Sequence, residues 1–356
     1  MTLIHYKFPH IEQLKNVLVS LKHKYQNPVQ TSDGWVFDET LSLPIIEFYG
    51  TVKLHGSNTA IVVDLNDSKM YAQSRESILT PESDYKGFAK FVQDNDAYIV
   101  NMVPISLQAE ALEKNENIVI YGEWCGQGIQ SGVGISDLPR MFVIFAVKVG
   151  NRWCAPAEFM DIELPDSKIF NIFRADPYNI VIDFNVLNEQ GPSGKVLFEL
   201  ASLTEEVEKE CPFAKSFGVS GVGEGIVWRS LCDARTKDFC GGDEGDPWLF
   251  KVKGEKHKNV KESKLITLAP EITDNINQLL NTVLTEQRLE QGIEKLGEKG
   301  LEVSKKNTSH FMKWIGDDIK RECRDILETL TPAQEALLSH SVMKQAREWF
   351  FKQPGV

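Results

Sequence analysis

Helically spaced apolar residues open the chain and are followed by short apolar segments with turns between them. One face of a predicted helix over residues 10–25 carries Ile11, Leu14, Val17, Leu18 and Leu21. The later segments are rich in β-branched and aromatic residues, which favours strands. The predicted strands are residues 45–52, 59–65, 69–74, 118–121, 141–149, 181–184, 225–229 and 248–252, with helical patterns over 85–93 and 103–113. Since many connections are too short for crossover helices, we expect largely antiparallel sheets.

The pattern changes after residue 257, where helical spacing prevails. Apolar positions predict one helix around residues 276–284 and another over residues 311–330. Thr331-Pro332-Ala333-Gln334 predicts the start of a third, because it combines an N-cap hydroxyl, a first-turn proline and a glutamine three residues later. A polar, lysine-rich connector lies near residues 258–270. The sequence therefore predicts a mixed α+β domain over residues 1–257 and an all-helical domain over residues 258–356.

Composition and charge narrow the class of protein. The chain has 356 residues, of which 42% are hydrophobic and 25% charged, as in soluble globular proteins. Its net charge of −12 argues against coating nucleic acid or anionic membrane by bulk charge, although a local basic site is compatible with it. The longest apolar run, residues 141–147, is far shorter than the roughly 20 residues of a membrane span. The six cysteines form no Cys-x-x-Cys pair, and no secretion signal is recognisable, so we expect a cytoplasmic protein without a zinc site.

The hexapeptide Lys53-Leu54-His55-Gly56-Ser57-Asn58 lies between two predicted strands. A Lys-x-x-Gly tetrapeptide alone is uninformative, because this chain contains five of them. The first is distinguished by the polar and aromatic residues that follow it in order. These are Arg75 after a strand, Glu123 in Tyr121-Gly122-Glu123, Phe145 in an apolar run, Glu224 before Gly225-Ile226-Val227, and Lys251 with Lys253. No P-loop motif is present.

This ordered set resembles the covalent nucleotidyltransferases and, within them, the RNA ligase 2 family of phage-type and RNA-editing ligases. The His-Gly pair after Lys53 is typical of that family, and residues 122–130 resemble its third motif with a glycine-rich extension. The resemblance covers residues 53–253. It implies an ATP-grasp-like ligase core of antiparallel sheets with flanking helices. The predicted helical tail agrees with this family rather than with the OB domain of DNA ligases and capping enzymes.

The resemblance implies an ATP-dependent RNA ligase for RNA repair. Lys53 would attack the α-phosphorus of ATP, release pyrophosphate and hold AMP as a lysyl adenylate. The adenylate would pass to an RNA 5′-phosphate, and a 3′-hydroxyl would then displace AMP to seal the strand. Mg²⁺ or Mn²⁺ would assist. The implied partner is RNA with 3′-hydroxyl and 5′-phosphate ends, as in a nicked duplex. We expect no membrane partner, a monomer as the default oligomeric state, and a bacterial or phage-infected cytoplasm as the compartment.

The same resemblance implies a role for each motif residue. Arg75 would contact the sugar or phosphate, Glu123 the ribose hydroxyls, Glu224 a metal ion, and Asn58 the region of the reacting phosphate. Phe145 and Val227 would pack on the two faces of adenine. The family commonly has an acidic residue after that aromatic, whereas this chain has Ala146, so Phe142 is an alternative to Phe145.

The expected nucleotidyl transfer explains why lysines occur at these positions. A lysine amine is nucleophilic at neutral pH only if its pKa, about 10.4 in water, is lowered by desolvation or by nearby cations. Lys251 and Lys253 are two positions apart in a predicted strand, so their side chains point to one face. From there they would supply positive charge and neutralise the α-phosphate. His55 is interpreted as a structural hydrogen-bonding residue rather than a general base.

Two alternatives stay open at this stage. A DNA ligase or a capping-type nucleotidyltransferase would use the same chemistry but carry a β-rich OB domain after Lys253. A non-catalytic RNA-binding protein could keep the fold without the reaction. The basic residues of the tail could grip RNA phosphates, but a solvated helix face is an equally good interpretation of them.

Overall fold

The structure is a computed structural model that describes residues 3–31, 34–84, 86–190, 194–231, 246–254, 279–328 and 330–356. Contacts between Cα atoms divide the chain into two compact units, Met1–Lys256 and His257–Val356. The predicted connector around residues 258–270 lies outside the described residues. Within the described ranges no helix has the length and apolar character needed to cross a membrane.

The first unit combines strands and helices, as the sequence predicts. Its strands are β1 (Val29–Thr31), β2 (Gly34–Val36), β3 (Ile45–Lys53), β4 (Ser57–Asp64), β5 (Lys69–Ser74), β6 (Ile78–Leu79), β7 (Ile118–Cys125), β8 (Met141–Val149), β9 (Arg152–Trp153), β10 (Ile169–Asn171), β11 (Tyr178–Asp183), β12 (Gly225–Ser230) and β13 (Leu249–Lys253). Its helices are α1 (Leu14–Tyr25), α2 (Phe88–Asp94), α3 (Asp96–Met102), α4 (Ile105–Lys114), α5 (Pro156–Phe159), α6 (Phe184–Gln190), α7 (Lys195–Lys209) and α8 (Pro212–Lys215). The predicted strands all form, whereas the sequence analysis missed α7 and several short elements, among them β1, β2 and β10.

A four-stranded antiparallel sheet with the order β11-β3-β12-β13 forms one side of the unit. Alternate residues of β3, among them Phe48 and Val52, are buried on its outer face. There they join Trp228 and Phe250 in one hydrophobic core with residues of α1 and α7. The period-2 alternation leaves the other face of these strands available to line a site.

A larger sheet with the order β10-β8-β7-β4-β5-β6 forms the other side, and β9 pairs with β8. The pairs are antiparallel except for β10 with β8, which is parallel. The outer face of this sheet buries Ile61, Ile120 and Phe142 against residues of α2, α3 and α4. The predicted α+β class with largely antiparallel sheets is therefore confirmed.

The second unit is helical in its described residues. Its helices are α9 (Glu286–Glu298), α10 (Thr308–Glu322), α11 (Arg324–Glu328) and α12 (Pro332–Phe350). The predicted start of α12 is confirmed, since Thr331 N donates to Gln334 Oε1 at 2.9 Å and Thr331 Oγ1 accepts from Gln334 N at 3.4 Å. The predicted helix around residues 276–284 falls partly outside the described residues.

The prediction of one continuous helix over residues 311–330 is wrong. The chain leaves helical geometry at Cys323, where φ is −115° and ψ is 25°, and α11 follows at once. The apolar positions continue at helical spacing across this break, because Cys323, Ile326 and Leu327 all pack on the same core as α10. A periodic pattern therefore cannot reveal the change of direction.

Several basic residues of the tail have carboxylate partners. Lys313 pairs with Asp317 at 2.6 Å and Arg324 with Glu328 at 2.9 Å, each one helical turn away. Buried Arg288 pairs with Asp318 at 2.8 Å. These pairs are the arrangement expected of a solvated helix face and of a structural ion pair.

Candidate active site

Three strands of the four-stranded sheet bring two of the predicted lysines into one row. Gly225 on β12 pairs with Lys53 on β3 and, on its other side, with Lys253 on β13. Directly opposed residues of antiparallel strands point to the same face of a sheet. Lys53 and Lys253 therefore flank Gly225 on the inner face of the sheet, although 200 positions separate them in the sequence.

Glu224, the residue before Gly225, contacts three basic side chains at this end of the sheet. Its Oε2 accepts a hydrogen bond from Lys53 Nζ at 2.7 Å, and its Oε1 lies 3.0 Å from Lys253 Nζ. His55 Nδ1 lies 3.3 Å from Oε2. The Glu224 side chain is 2% exposed, whereas its three partners keep 13–20% of their side-chain surface. One buried carboxylate thus joins the end of β3, the motif loop and the end of β13.

The electrostatics of Glu224 follow from these contacts. Burial alone would raise the pKa of its carboxyl group, but the charges of Lys53 and Lys253 and the hydrogen bond with His55 outweigh burial and hold the pKa well below its usual value. Glu224 is therefore ionised at neutral pH and is a weak base. An ionised, buried oxygen donor of this kind is suited to a hard divalent cation.

Two glycines are required by close approaches of the backbone. At Gly56 a Cβ atom would lie 2.5 Å from Trp124 O and 2.9 Å from Glu123 Cγ, so the motif loop could not pack on β7. At Gly225, where φ is +149°, a Cβ atom would lie 2.1 Å from Val252 O. The glycine of the Lys-x-x-Gly motif thus sets the distance between Lys53 and the opposite sheet.

The larger sheet supplies the opposite wall through Asn58 and Glu123. These residues pair across β4 and β7, and both point to the inner face. Each also belongs to the lining of the same pocket as Lys53. Glu123, the predicted ribose contact, and Asn58, the predicted phosphate contact, therefore lie side by side and face Lys53.

Phe145 lies at a β-bulge and lines the pocket. The pairing of β7 with β8 shifts between Tyr121 and Gly122, whose partners are Ala146 and Ile144, and Phe145 is left as the extra residue. Val143 pairs with Glu123 on the inner face, and alternation along β8 turns Phe145 to that face as well. The Phe145 ring lies 5.2 Å from that of Phe8.

Phe142, the alternative to Phe145, points the other way. It is completely buried on the outer face of the sheet, with its ring 5.2 Å from that of Phe88. A Cβ atom at Gly122 would lie 2.4 Å from the Phe142 ring, which shows how tightly this position is packed. The structure therefore brings Phe145, and not Phe142, into the pocket with Lys53.

The pocket between the two sheets has about 600 Å³ of empty volume, part of it open to solvent. Its lining includes five of the residues singled out from the sequence. They are Lys53, Asn58, Glu123, Phe145 and Val227. Val227 lies across the sheet from Thr51 and Lys251, one row further along than Gly225.

Other predicted residues lie beside the pocket rather than in the lining given for it. Glu224 and Lys253 adjoin it through their contacts with Lys53. Lys251 lies two residues before Lys253 in β13 and on the same face. Arg75 follows β5, and its Nη2 lies 3.2 Å from His10 Nδ1. Lys53 and Lys253 thus contact Glu224, whereas Arg75 contacts the N-terminal segment.

Sequence reasoning missed the N-terminal contribution to the site. Phe8 and Ile11 line the pocket ahead of α1. The segment is held to both sheets, since Tyr6 N donates to Gln73 Oε1 at 3.0 Å and Glu12 N donates to Leu249 O at 3.1 Å. No local pattern marks such a segment as part of a site, because its contacts are all distant in sequence.

Sequence reasoning also missed Tyr49 and Arg229. They pair across β3 and β12, and both line the pocket. Strand alternation was the available signal, because Tyr49 lies four residues before Lys53, and Arg229 two residues after Val227.

Comparison with protein families gives one match. The model of the RNA ligase family matches residues 46–253, more than half of the chain, from the start of β3 to the end of β13. No curated protein has a significant match.

Solved structures with detectable similarity include RNA ligases of low identity. A Naegleria gruberi RNA ligase mutant with AMP and Mn is 14% identical over 71% of this chain and 56% of that chain, with a TM-score of 0.39. An archaeal ATP-dependent RNA ligase is 13% identical over 97% of this chain and 72% of that chain, with a TM-score of 0.37. This chain thus spans little more than half the length of the Naegleria structure. The family assignment rests on residues 46–253.

Proposed function

This chain belongs to the RNA ligase family, and on that premise we propose that it is an ATP-dependent RNA ligase that works through a covalent lysyl-AMP on Lys53. The observation that carries the proposal is the buried carboxylate of Glu224, which contacts both Lys53 and Lys253 beside the pocket between the two sheets. A nucleophilic lysine, a second cation and an ionised oxygen ligand are the groups that nucleotidyl transfer needs.

In the first step Lys53 Nζ forms a bond to the α-phosphorus of ATP while the bond from that phosphorus to the β-phosphate oxygen breaks. Pyrophosphate leaves, and the amine loses its proton. Glu224 is a poor acceptor for this proton, because its pKa is well below the usual value. The proton therefore passes to solvent or to the departing phosphates, while Glu224 stays ionised and keeps the amine oriented. Lys253 and Lys251 neutralise the α-phosphate.

The rest of the pocket would orient the nucleoside. Phe145 on the larger sheet and Val227 on the four-stranded sheet face the same space from opposite walls, as a base sandwiched between them requires. Glu123 would accept hydrogen bonds from the ribose hydroxyls, and Asn58 beside it would contact the phosphate side. Apolar surfaces on both faces of a base with a few placed polar groups are the usual composition of such sites.

The donor set also fits a divalent cation bound together with the nucleotide. Among the described residues no group of three or more His, Cys, Asp or Glu side chains could hold an ion unaided. Mg²⁺ and similar ions need no such cage, because they usually bind through one or two carboxylates, water and substrate phosphates. Glu224 would be the protein ligand, and Mg²⁺ or Mn²⁺ would supply neutralisation of phosphate charge.

The later steps use the same pocket. AMP would pass from Lys53 to the 5′-phosphate of an RNA end, and the 3′-hydroxyl of a neighbouring end would attack that phosphate and release AMP. RNA ends that meet in a nicked duplex are the proposed substrate, with RNA repair as the role. The helical second unit is the proposed RNA-end recognition unit.

The test is transfer of label from α-labelled ATP to the protein, read under denaturing conditions with Mg²⁺ present. Wild type should become labelled, and Lys53→Ala should not. Lys215→Ala is a matched control, because Lys215 is an exposed lysine that pairs with Glu210. It also begins another Lys-x-x-Gly sequence, with Gly218 as the glycine. Equal labelling of Lys53→Ala and wild type would remove Lys53 from its role.

A second experiment tests the substrate. Nicked RNA and nicked DNA duplexes of one sequence are offered to the labelled enzyme, and the sealed strand is measured. RNA should be sealed faster. Faster sealing of DNA would overturn the RNA assignment and leave the covalent step intact.

A further inference from the structure

Residues 126–134 form a glycine-rich loop that follows β7, and the proposed steps do not use it. Ser57 of the lysine motif pairs with Trp124 near the end of β7, so the loop begins beside the motif. Glu123, which lines the pocket, lies three residues before the loop. The loop therefore starts at the end of the pocket where Lys53 lies.

The other end of the glycine-rich loop is attached beside Glu224. Gly134 N donates a hydrogen bond to Val222 O at 2.8 Å. The two segments are in close contact, since a Cβ atom at Gly134 would lie 3.0 Å from Gly221 Cα. Val222 comes two residues before Glu224 in the sequence. Both ends of the loop thus contact segments that carry the lysine motif or its carboxylate partner.

Two basic side chains bind the carbonyl oxygens of this loop. Arg140 Nε donates to Gln127 O at 3.0 Å, and Lys86 Nζ donates to Gly128 O at 3.0 Å and to Ile129 O at 2.8 Å. Carbonyl oxygens carry no formal charge, so these contacts orient the two cations without cancelling their charges. Arg140 is exposed, and it forms no ion pair within the residues that the structure describes.

The backbone of Lys86 links the two cations. Lys86 O accepts hydrogen bonds from Arg140 Nη1 at 3.2 Å and from Trp124 Nε1 at 3.1 Å. Lys86 has a φ of +65°, in the left-handed region that few residues other than glycine adopt. Uncommon backbone conformations that surrounding contacts maintain are concentrated at functional positions. These contacts keep two positive charges beside one loop in spite of their mutual repulsion.

Some amide groups of the glycine-rich loop are available to a ligand. Gln127 N and Ile129 N donate to backbone oxygens at 2.8 and 3.1 Å. In the part of the chain that the structure describes, Gly128 N, Gln130 N and Gly132 N donate to no backbone oxygen. The two glycines have φ of +75° and +82°, which suits glycine. Amide groups of successive residues in such turns form concavities that bind anions.

Amide donors beside two cations are the composition of a phosphate site. The lining of the pocket includes Glu123 but no described residue of the loop, and both Gln127 and Arg140 are exposed. Gln127 lies four residues beyond Glu123, which is at most about 14 Å. A phosphate at the loop would therefore lie outside the pocket but near it. A polynucleotide strand that reaches Lys53 can supply such a phosphate more readily than a nucleotide inside the pocket.

We propose that the glycine-rich loop, together with Arg140 and Lys86, binds a backbone phosphate of the RNA strand whose end reaches Lys53. The guanidinium and the ammonium group attract the phosphate, and amide groups of the loop donate to its oxygens. Such a contact positions the RNA without reading its sequence. The inference rests on the proposed function, because it takes RNA as the substrate, and it adds a substrate contact outside the pocket.

The test removes single charges from the RNA and from the protein. Nicked RNA duplexes carry one neutral methylphosphonate in place of a phosphate, at each position near the nick in turn. Fluorescence anisotropy measures their Kd in the absence of ATP, so that no strand is sealed. The proteins are wild type, Arg140→Gln, Arg140→Lys, Lys86→Gln and the control Lys209→Gln, in which an exposed lysine paired with Glu205 is replaced.

In wild type at least one methylphosphonate should weaken binding about ten- to a hundredfold, as expected for the loss of a hydrogen bond to a charged group. This ratio should fall towards one in Arg140→Gln and should be partly kept in Arg140→Lys, which retains the charge. Lys86→Gln should also lower it. The slope of log Kd against log salt concentration should fall by about one in Arg140→Gln but not in Lys209→Gln.

The methylphosphonate ratio distinguishes a phosphate contact from a purely structural role. If Arg140 only maintains the shape of the loop, Arg140→Gln should weaken the binding of all duplexes alike and leave the ratio at its wild-type value, which would overturn the inference. If Arg140→Gln does not fold, shown by the absence of a thermal unfolding transition, Lys86→Gln and wild type decide. A wild type without a sensitive position also overturns the inference.

Labelling by α-labelled ATP distinguishes RNA from ATP as the source of the phosphate. Arg140→Gln should keep the wild-type KM for ATP. A raised KM with an unchanged methylphosphonate ratio would assign the contact to the phosphates of ATP and overturn the RNA assignment. The proposed function fails in a different way: a wild type that is not labelled but keeps its sensitive position would reject the ligase proposal and leave the phosphate contact standing.

Discussion

Lys53 Nζ lies 2.7 Å from Glu224 Oε2, although 171 positions separate the two residues in the chain. Because the other oxygen of the carboxylate receives Lys253, one anion serves as counter-ion to two cations at the ends of β3 and β13. This relationship makes Glu224 important for two separable properties, the stability of the site and its chemistry.

Glu224→Gln should lower both the stability of the protein and the labelling of Lys53 by ATP. Loss of the charge leaves two ammonium groups without their counter-ion, so we expect the free energy of unfolding to fall by about 1–3 kcal/mol. Labelling of Lys53 by ATP should fall by at least about a hundredfold, since the amine loses its orienting partner and the cation its ligand. Urea denaturation and α-labelled ATP measure the two effects. Glu205→Gln, in an exposed pair with Lys209, is the control and should change neither. Wild-type labelling of Glu224→Gln would contradict the mechanism.

Gly56→Ala should displace the motif without removing any reacting group. A Cβ atom at this position meets a backbone oxygen of β7 at 2.5 Å, so the loop must move away from the larger sheet. Since small displacements of positioned groups lower rates by about a hundredfold, labelling should fall by that order. Gly316→Ala is the control, because its new methyl meets only the flexible end of Met343. Equal losses in the two variants would indicate that the effect is not local.

Phe145→Ala and Phe142→Ala should separate nucleotide binding from stability. Phe145→Ala should raise the KM for ATP by roughly tenfold, because a stacking surface of the pocket is lost. Phe142→Ala removes a fully buried ring and should lower the free energy of unfolding by about 3–5 kcal/mol. Steady-state labelling and urea denaturation distinguish the two. A larger effect on KM from Phe142→Ala, measured where that variant is folded, would reverse the assignment of the two rings.

The ion pair of Glu110 with Arg152 should give a pH-dependent contribution to stability. Arg152 Nε donates to Glu110 Oε1 at 2.8 Å, and these contacts, aided by Lys114, lower the pKa of Glu110 to about 2. A carboxyl group with a lowered folded-state pKa stabilises the fold above its unfolded pKa of about 4.5 and loses this effect as the pH falls towards 2.

Glu110→Gln should therefore be less stable than wild type at pH 7 by about 1 kcal/mol or less, since solvent screens the pair. The difference should close as the pH falls below 4.5. Urea denaturation at pH 7, 5, 4 and 3 measures it, with Glu113→Gln at an exposed position of the same helix as a control for net charge. A gap that widens on acidification would contradict the sign.

Local patterns predicted most of the framework. Residues 69–74 and 141–149 form strands with the predicted bounds, and the Thr331–Gln334 capping box begins α12 as expected. Alternation of apolar residues and capping chemistry act over a few residues, so the sequence displays them directly. The order of the motif residues was sufficient to select the family that the comparison with family models also finds.

Local patterns could not predict contacts between segments that are distant in the chain. Alternation places Phe142 and Phe145, three positions apart, on opposite faces of β8, but the apolar run does not reveal which face turns to the pocket. That depends on the pairing of β8 with β7. The contribution of Phe8 and Ile11 and the break at Cys323 depend likewise on partners far along the chain.

The sequence by itself determined which residues can do chemistry and in what order they occur, because side-chain identity and strand alternation are local properties. Only the tertiary structure decided that Lys53 and Lys253 share Glu224, and that Arg229 and Tyr49 lie together at the far end of the pocket. The physical reason is strand register, since a shift of one residue would turn each of these side chains to the other face of the sheet.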